Sequence, residues 1–247
     1  MASTTSRPCA LFIGILALLL LHVALPHAQT HSSRIVRQVL AVGRVANVIA
    51  APMYFRLLQV RLPAGAAISF RAMPSMIYQL SGEVEISAAA ERQVVKEGQG
   101  HYLAAGTDAA MKAAGAEAVF LHFLLVTADE LNRPVQSAPA VVTELHRMAI
   151  SSAGLRSGPY ELSMVRVTTA AATPRPPLHY RSGAALYYVL SDGTITFDGK
   201  TEARPRGSIQ EEPHGFVHSW QSRPDMPMIL LQANISPEGV REIIFVE

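Results

Sequence analysis

The sequence is poor in cysteine, in aromatic residues and in charge. Its single cysteine, Cys9, lies in the first ten of 247 residues, which excludes cysteine-ligated zinc, iron–sulfur clusters, thiol catalysis and internal disulfides. Aromatic residues make up 6 % of the chain and charged residues 16 %, against about 25 % charged residues in an average soluble protein. Any chemistry must therefore use histidine, arginine, tyrosine or carboxylate side chains.

An excess of positive charge is also missing. The 21 lysines and arginines are balanced by 19 aspartates and glutamates that are spread along the chain, so there is no basic surface for a phosphate backbone. We expect no nucleic-acid partner. The length suffices for one large β domain or for two domains of about 100 residues, each with its own core.

Residues 1–28 have the pattern of a secretory signal. Arg7 precedes an unbroken apolar run, Ala10–Leu21, and small residues follow up to Ala28, after which we expect cleavage. The apolar run has 12 residues, fewer than the ~20 that a membrane-spanning helix needs. We expect no stable membrane insertion after cleavage, and a retained anchor is the alternative. A mature chain without cysteine suits an oxidising compartment, which predicts a periplasmic or secreted protein.

The remainder consists of short runs of alternating apolar residues separated by glycine and proline, which is typical of an all-β protein. Only Ala128–Asn132 has the pattern of a helical turn. The predicted strands are Phe55–Arg61, Met76–Leu80, Glu83–Ile86, Val119–Val126, Leu162–Val167, Leu186–Leu190, Thr194–Phe197, Met228–Ile235 and Ile243–Val246.

An internal repeat divides this region into two halves. We predict β domains at 50–127 and 160–247, joined by a linker at 128–159 and preceded by an N-terminal extension at 29–49. The parallel segments, 109 or 110 residues apart, are Tyr78–Ile86 with Tyr188–Phe197, Gly98 and Gly106 with Gly207 and Gly215, and Phe120–Leu124 with Ile229–Ala233.

Within the N-terminal extension, Ile35–Ile49 has the pattern of a further strand. Edge strands of paired barrels commonly need to be covered. This strand would provide such cover by packing on the second domain or on a partner chain. A compact monomer and a homodimer both satisfy the requirement.

The second half resembles the cupins, a family of small jelly-roll β-barrels. The second cupin motif is Gly, five residues, Pro-x-Gly, two residues, His, three residues, Asn. Gly207, Pro213, Gly215 and His218 fall in place, and Ser222 replaces the asparagine. Pro213 and Gly215 are typical of a tight turn in which the glycine takes a positive φ. The resemblance implies two tandem jelly-roll barrels, a bicupin, over nearly all of the mature chain.

Such cupins hold a divalent metal with three histidines and one glutamate. Only part of this set is present in the second half. The resemblance places His179 and His218 at two of the histidine positions. Arg181 stands at the remaining histidine position, and Ala185 stands at the glutamate position. The metal site implied by the resemblance is therefore degenerate.

The first half has lost this set entirely. The corresponding positions of the first cupin motif carry Ser69, Arg71 and Ser75, and Ala109 replaces the last histidine. We expect no metal in the first half.

A metal in the second half would need further ligands, because side-chain sites in catalytic geometry use at least three. His179 and His218 supply two, and the set could be completed by Tyr180, Tyr187, His214 or water. The strand period of two places Arg181 on the same face as His179, where its charge would repel a divalent cation. The resemblance implies at most one transition metal, Fe, Mn, Ni or Zn, in the second domain.

Arginine at the second-histidine position indicates a different ligand. A buried cation needs a negative partner, and a planar guanidinium binds carboxylate or phosphate bidentately. One hypothesis is a pocket that binds a small acidic molecule through Arg181, together with His179, His218, Tyr187 and Trp220. The alternative is that Arg71 and Arg181 reach the barrel mouth or pair with a protein carboxylate such as Glu83 or Glu212.

These residues support functions of different classes. The first is an exported bicupin that binds a small, acidic molecule in its second barrel. The second is a metal-dependent bicupin enzyme of the dioxygenase, decarboxylase or isomerase type, with its metal in the second barrel. The third is an interaction module whose barrels are filled by side chains. The sequence does not decide whether the chain is an enzyme, because one fold hosts many activities.

Overall fold

Nineteen β-strands and a 3-10 turn, Ala128–Glu130, form the regular structure of residues 34–134 and 138–246, which the computed structural model describes. The strands are β1 Ile35–Val45, β2 Met53–Leu62, β3 Ala67–Arg71, β4 Ser75–Ser81, β5 Val84–Ala88, β6 Glu91–Val95, β7 Gly100–Leu103, β8 Asp108–Ala113, β9 Ala118–Thr127, β10 Val141–Ile150, β11 Tyr160–Thr169, β12 His179–Arg181, β13 Ala184–Ser191, β14 Gly193–Phe197, β15 Lys200–Arg204, β16 Ile209–Glu212, β17 Ser219–Gln221, β18 Met228–Pro237 and β19 Ile243–Phe245.

The all-β class predicted from the sequence is confirmed. Every predicted strand overlaps an observed one, and the predicted helical turn is the 3-10 turn, where the Glu130 carboxylate accepts the Thr127 backbone N–H at 3.1 Å. The signal predicted at 1–28, with Cys9, lies outside the described residues. Within the part of the chain that is described, no helix is long and apolar enough to cross a membrane.

Each half is built from a five-stranded sheet and smaller sheets. In the first half, the sheet β10-β2-β9-β4-β7 is accompanied by the four-stranded sheet β3-β8-β5-β6. In the second half, the sheet β1-β11-β18-β13-β16 is accompanied by the sheets β15-β14-β17 and β12-β19. Pairing among the described strands leaves these sheets open and does not close them into continuous barrels.

The two halves exchange their outermost strands. Strand β1, which precedes the first half, pairs antiparallel with β11 of the second half, from Ile35 opposite Thr169 to Val45 opposite Tyr160. Strand β10, which precedes the second half, pairs antiparallel with β2 of the first. The predicted strand of the N-terminal extension thus covers the second half of the same chain.

The predicted linker at 128–159 contains β10, which the sequence analysis did not identify as a strand. The first four residues of β10 are all exposed. An edge strand of this kind lacks the apolar-polar alternation that marks a half-buried strand.

Apolar side chains of the described residues form three clusters, one of which is shared by both halves. The shared cluster includes Phe55 and Phe123 from the first half and Leu186 and Leu231 from the second. A second cluster lies within the first half and a third within the second half. Because the shared cluster draws on both halves, residues 34–134 and 138–246 belong to one compact unit, and neither half buries all of its apolar surface alone.

The internal repeat is present in the strand pairing, with one correction. Tyr78 lies opposite Leu121, and Tyr188 lies opposite Leu231. Equivalent residues on β9 and β18 are therefore 110 residues apart, and the predicted offset of 109 for these strands is wrong by one residue. Side chains alternate along a strand, so a shift of one residue exchanges inward and outward positions.

The corrected offset shows that the interior of the second half is more polar than that of the first. Phe120 corresponds to the smaller Leu230, and Leu124 corresponds to Asn234. Asn234 is 1 % exposed, and its amide nitrogen and oxygen have no hydrogen-bond partner among the described residues. A buried amide without a partner is destabilising, so a water or another small molecule is expected beside it.

His122 is expected to make the stability of the fold depend on pH. The side chain is buried between Phe70 and Phe120, and burial, with the nearby charge of Arg56, lowers its pKa from 6.5 to about 3. Between pH 6.5 and about 3, the unfolded chain binds more protons at this imidazole than the folded chain does. The stability therefore falls as the pH falls from 6.5 towards 3. At pH 4 we expect His122 to reduce the free energy of unfolding by about 3 kcal/mol relative to neutral pH.

The variant His122→Leu removes this titration. Urea denaturation of wild type and variant at a series of pH values from 8 to 4 should show a smaller loss of stability in the variant. If the two curves of unfolding free energy against pH run parallel, His122 is not the source of the dependence.

Candidate functional site

The turn between β16 and β17 delivers two residues of the site. Glu212 ends β16, and His218 immediately precedes β17. Between them, Phe216 donates its backbone N–H to the Pro213 carbonyl at 3.1 Å, and Gly215 has a φ of +78°. The tight turn predicted from the Pro213 and Gly215 pattern is therefore confirmed.

His179 and His218 are brought together by a short stretch of pairing. Their backbones form an isolated antiparallel bridge with N···O distances of 3.0 and 2.9 Å, which places the ring centroids 4.5 Å apart. The Nδ1 atom of His179 lies 3.1 Å from the Pro177 carbonyl oxygen, and that of His218 lies 2.9 Å from the Phe216 carbonyl oxygen. Because a carbonyl only accepts, each Nδ1 carries a proton and donates it.

Arg181 follows His179 by two residues on β12, and both side chains are buried, as the strand period predicts. Its guanidinium binds two carboxylates: Nε donates to Glu212 at 3.2 Å, and a terminal nitrogen donates to Glu242 at 2.7 Å. The other terminal nitrogen donates to the Tyr187 hydroxyl. Pairing with Glu212 is one of the two outcomes that the sequence left open for this arginine.

Glu212 joins these side chains into one cluster. It is fully buried, and the carboxylate oxygen that does not face Arg181 accepts the Trp220 indole N–H at 2.8 Å and lies 2.7 Å from Nε2 of His218. The Trp220 ring stacks on Tyr187 with centroids 5.5 Å apart. We call Arg181, Tyr187, Glu212, His218 and Trp220 the Arg181 cluster.

Mutual pairing keeps the cluster charged despite its burial. Burial raises the pKa of Glu212, but the close approach of His218 Nε2, at 2.7 Å, and the charge of Arg181 outweigh this and lower it to about 2. Burial also opposes the charge of Arg181, and its neighbours, Tyr187, Glu212 and Glu242, reverse the effect and raise its pKa. Burial raises the pKa of Tyr187 well above its ordinary value. At neutral pH, Arg181 and Glu212 form an ion pair beside a neutral phenol.

A second arginine, Arg37, balances the negative charge of Glu242. Arg37 of β1 donates to both oxygens of Glu242 at 3.0 and 2.9 Å and to Gln232 at 3.3 Å. Two arginines, Arg37 and Arg181, thus face two glutamates, Glu212 and Glu242. Arg37, Gln232 and Glu242 were not predicted from the sequence. Arg37 is 205 residues from Glu242 along the chain, and no local pattern marks such a contact.

A cavity of about 160 Å³ lies against the Arg181 cluster. Three residues of the predicted site, His179, Arg181 and Trp220, line it. Tyr187 and His218 belong to the cluster but not to this wall. The full lining is Ile35, Arg37, Val167, Thr169, Pro176, His179, Arg181, Trp220, Met228, Leu230, Gln232, Ile243 and Phe245.

His179 offers the cavity wall a hydrogen-bond acceptor. Burial lowers its pKa to about 4, so the ring is neutral at physiological pH. With the proton on Nδ1, Nε2 is left as an acceptor. The wall therefore combines aliphatic side chains with a small number of polar groups.

The other predicted residues lie elsewhere. Tyr180 packs edge-on against the His214 ring, with centroids 6.3 Å apart, and Nδ1 of His214 donates to the Ser182 carbonyl at 3.2 Å. Arg71 of the first half has a side chain that is 70 % exposed and lies 3.4 Å from Asp108. Arg71 is therefore a surface residue, which is the alternative that the sequence analysis retained.

The residues at the metal positions do not fit a metal ion in this arrangement. Among residues 34–134 and 138–246, no group of three or more histidine, cysteine, aspartate or glutamate side chains is arranged to hold one. The carboxylate of Glu212 is already bound by Arg181 and Trp220, and the adjacent guanidinium repels a cation. No catalytic role for a metal follows from this geometry.

Comparison with solved structures finds proteins of the same architecture. Oxalate decarboxylase of Bacillus subtilis, in a tryptophan-to-tyrosine variant, matches 82 % of this chain and 79 % of its own, with 13 % identity and a TM-score of 0.55. A structure concerned with the Mn(II) centres of that enzyme matches over the same shares, with 14 % identity and a TM-score of 0.53. A cupin 2 conserved barrel domain protein from Leptotrichia buccalis matches 79 % of this chain and 89 % of its own, with 17 % identity and a TM-score of 0.46.

The fold is that of the cupins. The resemblance drawn from the sequence is thus confirmed for the cupin fold. At these identities the likeness shows the fold alone. No protein-family model and no curated protein sequence matches the chain.

Proposed function

We propose that this cupin-fold chain is an exported bicupin that binds a small molecule in the second half, in the cavity beside the Arg181 cluster. The cavity carries this proposal. A cavity of about 150 Å³ lined by apolar side chains is large enough to bind benzene, so the 160 Å³ available here would hold one ring or a short chain. Export rests on the signal pattern of residues 1–28.

The wall favours a ligand with an apolar body and one hydrogen-bonding group. Apolar side chains such as Val167 and Leu230 make up most of the lining, and Nε2 of His179 would accept a hydrogen bond from the ligand. Because Arg37 and Arg181 already bind carboxylates, a neutral ligand suits the site better than an acid. The acidic molecule expected from the sequence would have to displace Glu242, whose side chain is 27 % exposed.

Thermal denaturation with single-ring probes tests this proposal. We expect benzyl alcohol to raise the Tm of the wild type and not that of Leu230→Phe, which gives the second half the side chain of Phe120 and fills the cavity. A ligand at a hundred times its Kd stabilises by about 2.7 kcal/mol, a shift of roughly 5–10 °C for a protein of this size.

Benzoate and Arg71→Leu serve as controls, the latter because Arg71 is exposed and lies outside the cavity wall. Equal shifts in wild type and Leu230→Phe would contradict binding in the cavity. A shift with benzoate alone that is lost in Arg37→Leu would favour the acidic ligand instead.

A further inference from the structure

The Arg181 cluster contains a buried carboxylate and an imidazole, two side chains of the kind that bind metal ions, with a guanidinium beside the carboxylate. Glu212 is fully buried, and a buried carboxylate needs positive charge close to it. A divalent ion or a guanidinium can supply that charge. Here Nε of Arg181 lies 3.2 Å from one carboxylate oxygen, and Nε2 of His218 lies 2.7 Å from the other.

The guanidinium is surrounded as a bound cation would be. Three oxygen atoms accept its hydrogen bonds, one each from Glu212, Glu242 and Tyr187. Its residue is 2 % exposed, so solvent contributes little to its stabilisation. The rings of His179 and His218 lie on the same side of their pairing, with centroids 4.5 Å apart.

We propose that Arg181 is the built-in cation of this interior and takes the place of a divalent metal ion, so that the second half assembles without metal. The proposal rests on the pairing of Glu212 and does not depend on whether the cavity binds a small molecule. It assigns the two histidines a packing and hydrogen-bonding role in the present chain.

Removing the guanidinium should convert the cluster into a metal site. Arg181→His would place a third imidazole beside His179 and His218 and release the carboxylate of Glu212. Three imidazoles and one carboxylate are a donor set that zinc and cobalt accept. We expect Arg181→His to retain about one equivalent of zinc, and the wild type to retain none at this position.

Metal content after refolding with zinc and dialysis tests the proposal. The proteins compared are the wild type, Arg181→His, and each of these with the added change His218→Ala, which reveals zinc held elsewhere on the surface. Support is an equivalent of zinc in Arg181→His that is lost with His218→Ala, and no such difference in the wild type. An equivalent in the wild type that is lost with His218→Ala overturns the proposal.

A second variant covers the case in which Arg181→His does not fold. Arg181→Gln removes the charge, and zinc would then have to draw together His179, His218 and Glu212, which are not arranged as a metal site in the described chain. Circular dichroism with and without zinc shows whether the metal restores the fold that the guanidinium supported. If neither variant takes up zinc, the proposal is overturned, because Arg181 then does not occupy the place of a metal ion.

Discussion

Arg181→Leu is expected to lower the free energy of unfolding by about 3–5 kcal/mol, because it leaves the buried carboxylate of Glu212 without its guanidinium partner. Glu212 is fully buried and cannot turn to solvent. Its remaining neighbours are His218 and Trp220, and Glu242 also loses one of the two arginines that bind it. Urea denaturation at pH 7 measures the loss.

Two further variants separate this mechanism from simple disruption of the core. Arg71→Leu removes an exposed arginine whose partner is Asp108, and we expect a change below about 1 kcal/mol. Replacing both members of the buried pair, as in Arg181→Leu with Glu212→Leu, should recover most of the stability lost in the single variant. A double variant no more stable than Arg181→Leu would contradict the role given to the ion pair.

Separated halves are expected not to fold. A fragment of residues 34–134 lacks β11, the partner of β1, and lacks β10, the partner of β2. It also exposes its side of the shared cluster, including Phe55 and Phe123. Circular dichroism and urea denaturation of this fragment should show no cooperative transition.

The matched control contains both halves and differs from the intact protein only in that the chain between them is cut. A protease site inserted after the exposed Pro134 and cut after folding should leave the two fragments associated, since the exchanged strands and the shared cluster remain in place. Size-exclusion chromatography reports the association. If each separate half instead unfolds cooperatively by itself, the exchanged strands are not needed for folding.

Much of the site's layout was predictable from local sequence. The period of two along β12 places His179 and Arg181 on one side, and the turn pattern of Pro213 and Gly215 leads from Glu212 to His218. Each of these inferences needs only neighbouring residues. The same is true of the strands themselves, since each half-buried strand shows its own alternation.

Contacts between distant strands were not predictable in this way. Which carboxylate meets Arg181 depends on the position of Glu242, and that depends on how β19 pairs with β12. The register of such pairing is a property of the whole fold. The one-residue error on β9 and β18 has the same origin, because Phe120 and Leu230 become equivalent only when their pairing is known.

The exchanged strands also determine the order in which this chain can fold. Strand β1 is synthesised before the other described strands, but Ile35 pairs with Thr169 at the end of β11. Strand β1 can therefore form its complete pairing only after most of the polypeptide has been synthesised. Long sequence separation between contacting residues slows folding, because loop-closure entropy is lost before the contacts form. We therefore expect a high contact order, slow and largely post-translational folding, and an N-terminal strand that docks late.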